Sequence, residues 1–332
     1  MKVTQIAGYA RELLISATQQ TASDIHFSPF LESTTIHFRI HGQRVFHSSL
    51  PNPLYRKLLA YLKFTSGMDI GEVSKPQNGS LEHRSQQSLY NLRLSTLPTL
   101  GNESLAIRIL SSDEHLKLNR LFLFPHQLNT LKQWLSHKTG MILFTGATGS
   151  GKTTTLYALL QTLTNEHSYQ AITLEDPIEK NLNNMIQVQM NERAGITYDT
   201  GLKAALRHDP DLLMVGEIRD KQTAQFAFRA ALSGHLVIST IHAKDAFGTI
   251  HRLKEMDIKT VELEQTLIAI AAQQLIPLAE HRNFSSRAAI LELLYEESLQ
   301  RAIKDISPEQ DPSFSTFSSL RRKAYALGFT EN

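Results

Sequence analysis

The sequence of 332 residues contains no cysteine. That excludes disulfides, thiol catalysis and any zinc or iron–sulfur site built on cysteine ligands. No stretch approaches the roughly 20 apolar residues that a membrane helix needs. The first residues, MKVTQIAGYARELLISATQQ, have no apolar core segment and carry Arg11 and Glu12 in their middle, so they are not expected to be a signal peptide. Neither sign of charge is in excess: Lys plus Arg is 34, Asp plus Glu is 32, and the formal net charge is +2. Such a balance does not support a general nucleic-acid coat, although a local basic patch could sit within it. Internal repeats and low-complexity tracts are also missing. What remains is a globular composition, 41% hydrophobic and 20% charged, long enough for about two domains. The expectation is a soluble intracellular protein of two domains.

Periodicity divides the chain. Val3, Ile6, Ala10, Leu13, Leu14 and Ala17 have helical spacing, which predicts an amphipathic helix over 3–18. Alternating runs follow as candidate strands: DIHF, TTIHFRI, QRVFHSSL, SLEHR, SLYNLRLSTL and SLAIRIL. A second helix is predicted over 53–67, and turns are expected at Asn78-Gly79 and Gly101-Asn102. Together these read as a small α+β domain over 1–112, followed by a linker over 113–125. From residue 126 the pattern changes to apolar strands (MILFTG, AITLE, LLMVGE, HLVISTIH) alternating with helices, the signature of a mostly parallel sheet covered on both faces. This second domain is assigned to 126–332 with a C-terminal helical part. The stretch SPEQDPSFSTFSS is expected to be a loose linker to a last short helix.

The segment MILFTGATGSGKTTTLYALL carries the chemistry. Gly146, Gly151, Lys152 and Thr153 match the pattern GxxxxGK[ST], which chance produces in about one chain in a hundred of this length. The match lies between an apolar strand and a helix, the context that the motif requires. Gly146, Ala147, Thr148, Gly149, Ser150, Gly151, Lys152, Thr153 and Thr154 are therefore the candidate nucleotide-binding residues. Glycines let backbone N–H groups curl around a phosphate chain at a helix N-terminus. Lys152 can reach the β- and γ-phosphates, and the Thr153 hydroxyl can ligate Mg²⁺. Glu175, Asp176 and Glu179 follow the strand AITLE, and LLMVG delivers Glu217 to a strand's C-terminal end, where open parallel sheets bind ligands. A carboxylate there can orient water or hold Mg²⁺ through water. A lone glutamate could equally be a solvated loop residue, but the paired context favours the site. Gly216 stands where an acid usually precedes this glutamate. His242 ends the next strand on the same edge. His37 and His41 are four apart within a strand, where the helical zinc geometry does not apply.

The segments GATGSGKTTTLYALL, AITLEDPIE, LRHDPDLLMVGEIRD and GHLVISTIHAKDA resemble, in order, the Walker A, Asp box, Walker B and His box of the secretion and type IV pilus ATPase superfamily. SDIHFSP, RIHGQR, KPQNGS and RLSTLPTLGNESLAIRIL are similar to the small domain that precedes the motor in that family, so the resemblance covers roughly residues 20–295. It implies a RecA-like P-loop ATPase domain preceded by a small α+β (PAS-like) domain. It also implies a homo-hexamer using ATP and Mg²⁺, with Glu217, Glu175, His242, Arg93 and Arg108 as catalytic residues. The partner implied is a polytopic inner-membrane platform protein, which would hold the ATPase peripherally at the cytoplasmic face of the membrane. Direct nucleic-acid binding is not expected. Details of the boxes resemble the assembly branch, in which the motor builds a pilus or pseudopilus for competence, DNA uptake and transformation, or for type II secretion. There are departures: His41 replaces the acid of the usual RIDG, Asn78 the acid of PQDG, and RAAILELL is preceded by AEHRNFSS in place of a tetracysteine zinc loop, so no zinc is expected. A retraction motor and a nucleotide-gated scaffold with little turnover are the competing readings. A nucleic-acid translocase lacks its basic stripe with stacking aromatics.

Overall fold

The computed structural model describes residues 3–40, 42–85, 88–111, 118–166, 169–191, 194–279, 287–311 and 313–330. His41 and the segment preceding Arg287 lie outside these residues. Contacts divide the chain into two units, Met1–His115 and Leu116–Asn332.

Among the described residues, the first unit is a six-stranded antiparallel sheet with two helices. The strands are β1 (Asp24–Pro29), β2 (Ser33–Ile40), β3 (Gln43–Pro51), β4 (Gln77–Ser85), β5 (Ser88–Thr99) and β6 (Asn102–Ser111), in the order β3-β2-β1-β6-β5-β4. Ile6, Ala10, Leu13, Leu14 and Ala17 of α1 (Val3–Gln19) are buried with Tyr55, Leu58, Leu59 and Leu62 of α2 (Asn52–Thr65). Both helices pack on the apolar side of the strands, Ile25, Phe27, Ile36, Phe38, Leu92, Leu94, Leu105 and Ile107. Since side chains alternate along a strand, Asp24, His26, His37, Arg39, Arg93 and Arg108 fall on the opposite face. The expected turn at Asn78-Gly79 is a correction: both residues lie inside β4, paired with Ser95 and Leu94. The glycine serves a close approach, because a Cβ there would meet the Ser66 carbonyl oxygen at 2.6 Å.

The second unit contains β7 (Gly140–Thr145), β8 (Ala171–Glu175), β9 (Ile186–Gln189), β10 (Leu212–Ile218), β11 (Leu236–Ile241), β12 (Leu267–Pro277) and β13 (Arg287–Tyr295), in the order β13-β12-β7-β11-β10-β8-β9. All neighbours are parallel except β12 and β13. Every residue of β7, β8 and β11 is buried, because helices cover both faces. Met141 and Leu143 enter one core with α5 (Tyr198–Ala205), α6 (Lys221–Leu232) and α7 (Ala246–Glu255). Ile142 and Phe144 enter the other with α3 (Pro125–Trp134) and α4 (Lys152–Glu166).

Three stretches of this unit differ from the expectation. Residues 267–295, for which no strand was expected, add β12 and β13 to the sheet, so that α8 (Thr260–Thr266) precedes the pair and α9 (Glu296–Ile303) and α10 (Phe317–Ala326) follow it as the C-terminal helices. The run LIAIAAQQLIP is rich in alanine, which carries little strand preference, and tertiary packing decides its state. Leu118, Phe122 and Phe124, read as linker, are buried in this unit, and Leu121 and Leu123 exchange backbone hydrogen bonds with Ala289. The polar tail is tied down: Phe317, Leu320 and Ala324 of α10 are buried and Phe314 packs against the same core. No helix among the described residues is long and apolar enough to cross a membrane.

Glu292 of β13 is a buried acid with a structural task. Its two oxygens accept from the N–H groups of Ala246 (3.3 Å) and Phe317 (2.6 Å), the first residues of α7 and α10. Burial pushes its carboxyl upward, against these hydrogen bonds. A Glu292→Ala variant should lose about 2–4 kcal/mol of stability by urea unfolding, since two buried donors lose their acceptor. Glu292→Gln, which keeps one acceptor oxygen, should lose about half of that.

Candidate functional site

The glycine-rich loop joins β7 to α4 at the C-terminal edge of the parallel sheet. Gly146, Gly149 and Gly151 have φ of 139°, 81° and 86°, which side-chain-bearing residues rarely adopt. Space is as restrictive as conformation at two of them. A Cβ on Gly146 would meet the Gln273 carbonyl oxygen at 2.5 Å, and one on Gly151 would meet Gln273 Nε2 at 2.9 Å. Gln273, in β12, donates from that amide to the Ser150 carbonyl at 2.7 Å. It therefore clamps the loop from below. Ser150 Oγ and Gln273 Oε1 are buried and have no hydrogen-bond partner among the described residues. A glycine cradle with orphaned polar atoms fits a phosphate-bearing ligand.

Lys152 opens α4 and folds back over the loop. Its Nζ donates to the carbonyls of Gly146 (2.8 Å) and Ala147 (3.1 Å). Burial lowers its pKa, while the charges of Glu217 and Glu179 act in the opposite sense. Thr153 is half-buried and Thr154 exposed, and Ala147, Thr148 and Gly149 face solvent.

Glu217 reaches the same edge from β10. Its Oε1 lies 2.9 Å from His242 Nε2, and its Oε2 accepts from Arg219 Nε at 2.8 Å. Arg219 also lies 3.5 Å from Asp176 Oδ2. His242 Nδ1 is 3.2 Å from the Gly146 carbonyl oxygen. Both partners of the imidazole are acceptors, so the cationic ring satisfies both and the neutral ring one. This chain of contacts joins the glycine loop to the ends of β10 and β11. Gly216 takes the place of an acid where β10 crowds β8, since a Cβ there would stand 3.1 Å from the Leu174 carbonyl oxygen.

Glu175 stands on the same edge in a different environment. It is 3% exposed and accepts from Thr173 Oγ1 (2.6 Å), Gln187 Nε2 (3.1 Å) and the Tyr157 hydroxyl. Burial and the adjacent Glu175 carboxylate push the Tyr157 phenol above its ordinary range. Glu175 thus ties α4 to β8 and β9. Arg93 and Arg108 belong to the first unit, directly opposite each other on β5 and β6. Gln273, Arg219 and Tyr157 escaped the sequence reading. Their signals were slight: a polar pair inside an apolar strand, an arginine two residues after Glu217, and a tyrosine one helical turn after Thr153.

A family model, the type II/IV secretion system protein, matches residues 2–312. The competence protein ComGA of Bacillus subtilis is 43% identical over 335 residues, covering 96% of this chain and 94% of that protein. The type IV pilus assembly ATPase PilB of Acinetobacter baylyi is 39% identical over 81% of this chain and 47% of its own length. Among solved structures, the pilus retraction motor PilT with bound ADP superposes with a TM-score of 0.75 at 28% identity, covering 96% of this chain and 94% of that one.

Gly146→Ala tests the cradle. A clash costing about 1–3 kcal/mol should weaken binding of a fluorescent adenine nucleotide by roughly ten- to a hundredfold, with the circular dichroism spectrum unchanged. Binding at wild-type strength would show that the close approach to Gln273 is dispensable.

Proposed function

The chain belongs to the type II/IV secretion system protein family, and from that premise we propose that it is a hexameric, Mg²⁺-dependent motor ATPase. Its work is assembly of a type IV-like (competence) pseudopilus, serving DNA uptake or type II-like secretion. The observation that carries this reading is the contact chain Lys152–Gly146–His242–Glu217, which gathers a phosphate-binding loop, a lysine, an imidazole and a carboxylate at one sheet edge. An edge of this composition suits phosphoryl transfer to water, which depends on positioning and charge neutralisation more than on covalent chemistry.

In this reading the N–H groups of Gly146–Thr153 surround the phosphates and Lys152 moves from the loop carbonyls to the β- and γ-phosphate oxygens. Glu217 orients the attacking water, whose oxygen bonds to the γ-phosphorus as the bridging bond to ADP breaks. His242 holds Glu217 against the loop, and Arg219 holds its other oxygen. The Thr153 hydroxyl, with Glu217 through water, would hold Mg²⁺, a hard cation that needs few protein ligands beside phosphate. Bound there, the metal supplies neutralising charge to the phosphate oxygens. Arg93 and Arg108 offset the charge that develops on the transferring group. Glu175 is the other glutamate that ends a strand at this edge, and its three donors hold it in place while it acts on the site as a fixed negative charge.

Likeness to ComGA and PilB, at 43% and 39% identity, supports the assembly direction and a membrane platform protein as the partner. Retraction is the second reading, favoured by the superposition on PilT. Cells whose only copy carries Lys152→Ala should lose surface filaments together with DNA uptake. Filaments that persist or accumulate would turn the assignment to retraction. In purified protein, Glu217→Gln should lower the ATPase kcat by about a hundredfold or more, whereas a nucleotide-gated scaffold would keep its function in cells.

A further inference from the structure

The carbonyls of the glycine loop are held in two ways. Those of Gly146 and Ala147 accept from Lys152 Nζ, at 2.8 and 3.1 Å. In the proposed function that lysine leaves them for phosphate oxygens. The Ser150 carbonyl accepts instead from Gln273 Nε2, at 2.7 Å. Gln273 follows Ala272, which pairs with Thr145 at the end of β7, so its side chain lies where the loop begins. It is 1% exposed. Side chains alternate along a strand, and Gln274 faces the other side of β12, where it accepts from Arg321 of α10.

The Ser150–Gly151 peptide is the one whose orientation glycine leaves open. A trans peptide is planar, with its C=O and N–H pointing in opposite directions. Turning that plane over reverses the sign of φ at Gly151, which is 86°. Glycine takes either sign about as readily. In one orientation the Gly151 N–H faces the cradle; in the other the Ser150 carbonyl oxygen faces it and repels an anion. The bond from Gln273 draws the carbonyl toward β12 and so turns the N–H away from β12. That N–H has no hydrogen-bond partner among the described residues. Packing does not account for the amide, because Gln273 Oε1 is buried without a partner among the described residues. A methionine of similar length would fill the space without that cost. What the amide adds is one donor aimed at one carbonyl.

We propose that Gln273 is a positioning residue for nucleotide binding: it locks the Ser150–Gly151 peptide in the orientation that presents the Gly151 N–H to a phosphate. Because Gln273 acts from the far side of the peptide, it does not compete with the ligand. Its bond persists when Lys152 exchanges the loop carbonyls for the nucleotide. This role rests on the phosphate-binding loop of the proposed function.

Titration of the full-length protein with fluorescent adenosine diphosphate, together with steady-state ATPase kinetics, tests it. Gln273→Met keeps the length of the side chain and removes the donor. It should weaken the diphosphate by about tenfold or more, the scale of misdirecting one hydrogen bond to a charged group. KM for ATP should rise by a similar factor while kcat falls by no more than about twofold, because the N–H meets phosphate before and during transfer alike. A packing defect in β12 would lower kcat and leave the diphosphate affinity in place. That result, or wild-type affinity and KM in Gln273→Met, would overturn the proposal. Should Gln273→Met fail to fold, Gln273→Glu has nearly the shape of the wild-type side chain. Once ionised it donates nothing and repels the Ser150 carbonyl, so it should lose at least as much affinity, and wild-type affinity would then overturn the proposal. Wild-type protein that binds no adenosine diphosphate would instead remove the phosphate-binding loop of the proposed function, and this role with it.

Discussion

The carbonyl of Gly146 is where the parts of the nucleotide site meet. It accepts from Lys152 Nζ and lies within reach of His242, whose other nitrogen holds Glu217. That carbonyl can point where it does only because φ at Gly146 is 139° and no Cβ stands between it and Gln273. Four strands, β7, β10, β11 and β12, therefore report to one peptide group. A parallel sheet makes this possible, since it brings the ends of strands distant in sequence to one edge.

Much of this was legible in the sequence, and the legible parts share a cause. The glycine loop, Glu217 and His242 are set by local spacing: a run of buried residues ends and a functional residue follows. Strand and helix positions in the first unit follow from period-2 and period-3.6 patterns that need no knowledge of the partner strand. The illegible parts depend on tertiary neighbours. Gln273 looks like an interruption in an apolar run until β12 is known to lie beside the glycine loop. Asn78-Gly79 has the composition of a turn, and only the approach of Ser66 explains a glycine inside a strand. The alanines of 267–277 are neutral in pattern, and the sheet claims them.

Glu217 and Glu175 show how environment separates like residues. Glu217 is partly open, and its partners, His242 and Arg219, are themselves exposed side chains that can rearrange. Glu175 is enclosed by a phenol, a hydroxyl and an amide belonging to three different elements. Exchanging partners is cheap at the first and costly at the second. In sequence both are a glutamate ending an apolar strand, so nothing in the chain's pattern distinguishes them.

Glu292 gives the second unit a mechanical property. The segment leaving His242 enters α7 at Ala246, and the C-terminal helix begins at Phe317. One carboxylate grips both starting points. The two helices cannot part at that end without breaking a buried hydrogen bond. A pull on the C-terminal helix is thus borne at a point four residues from the histidine that touches the glycine loop, and the far end of the chain shares a fulcrum with the site.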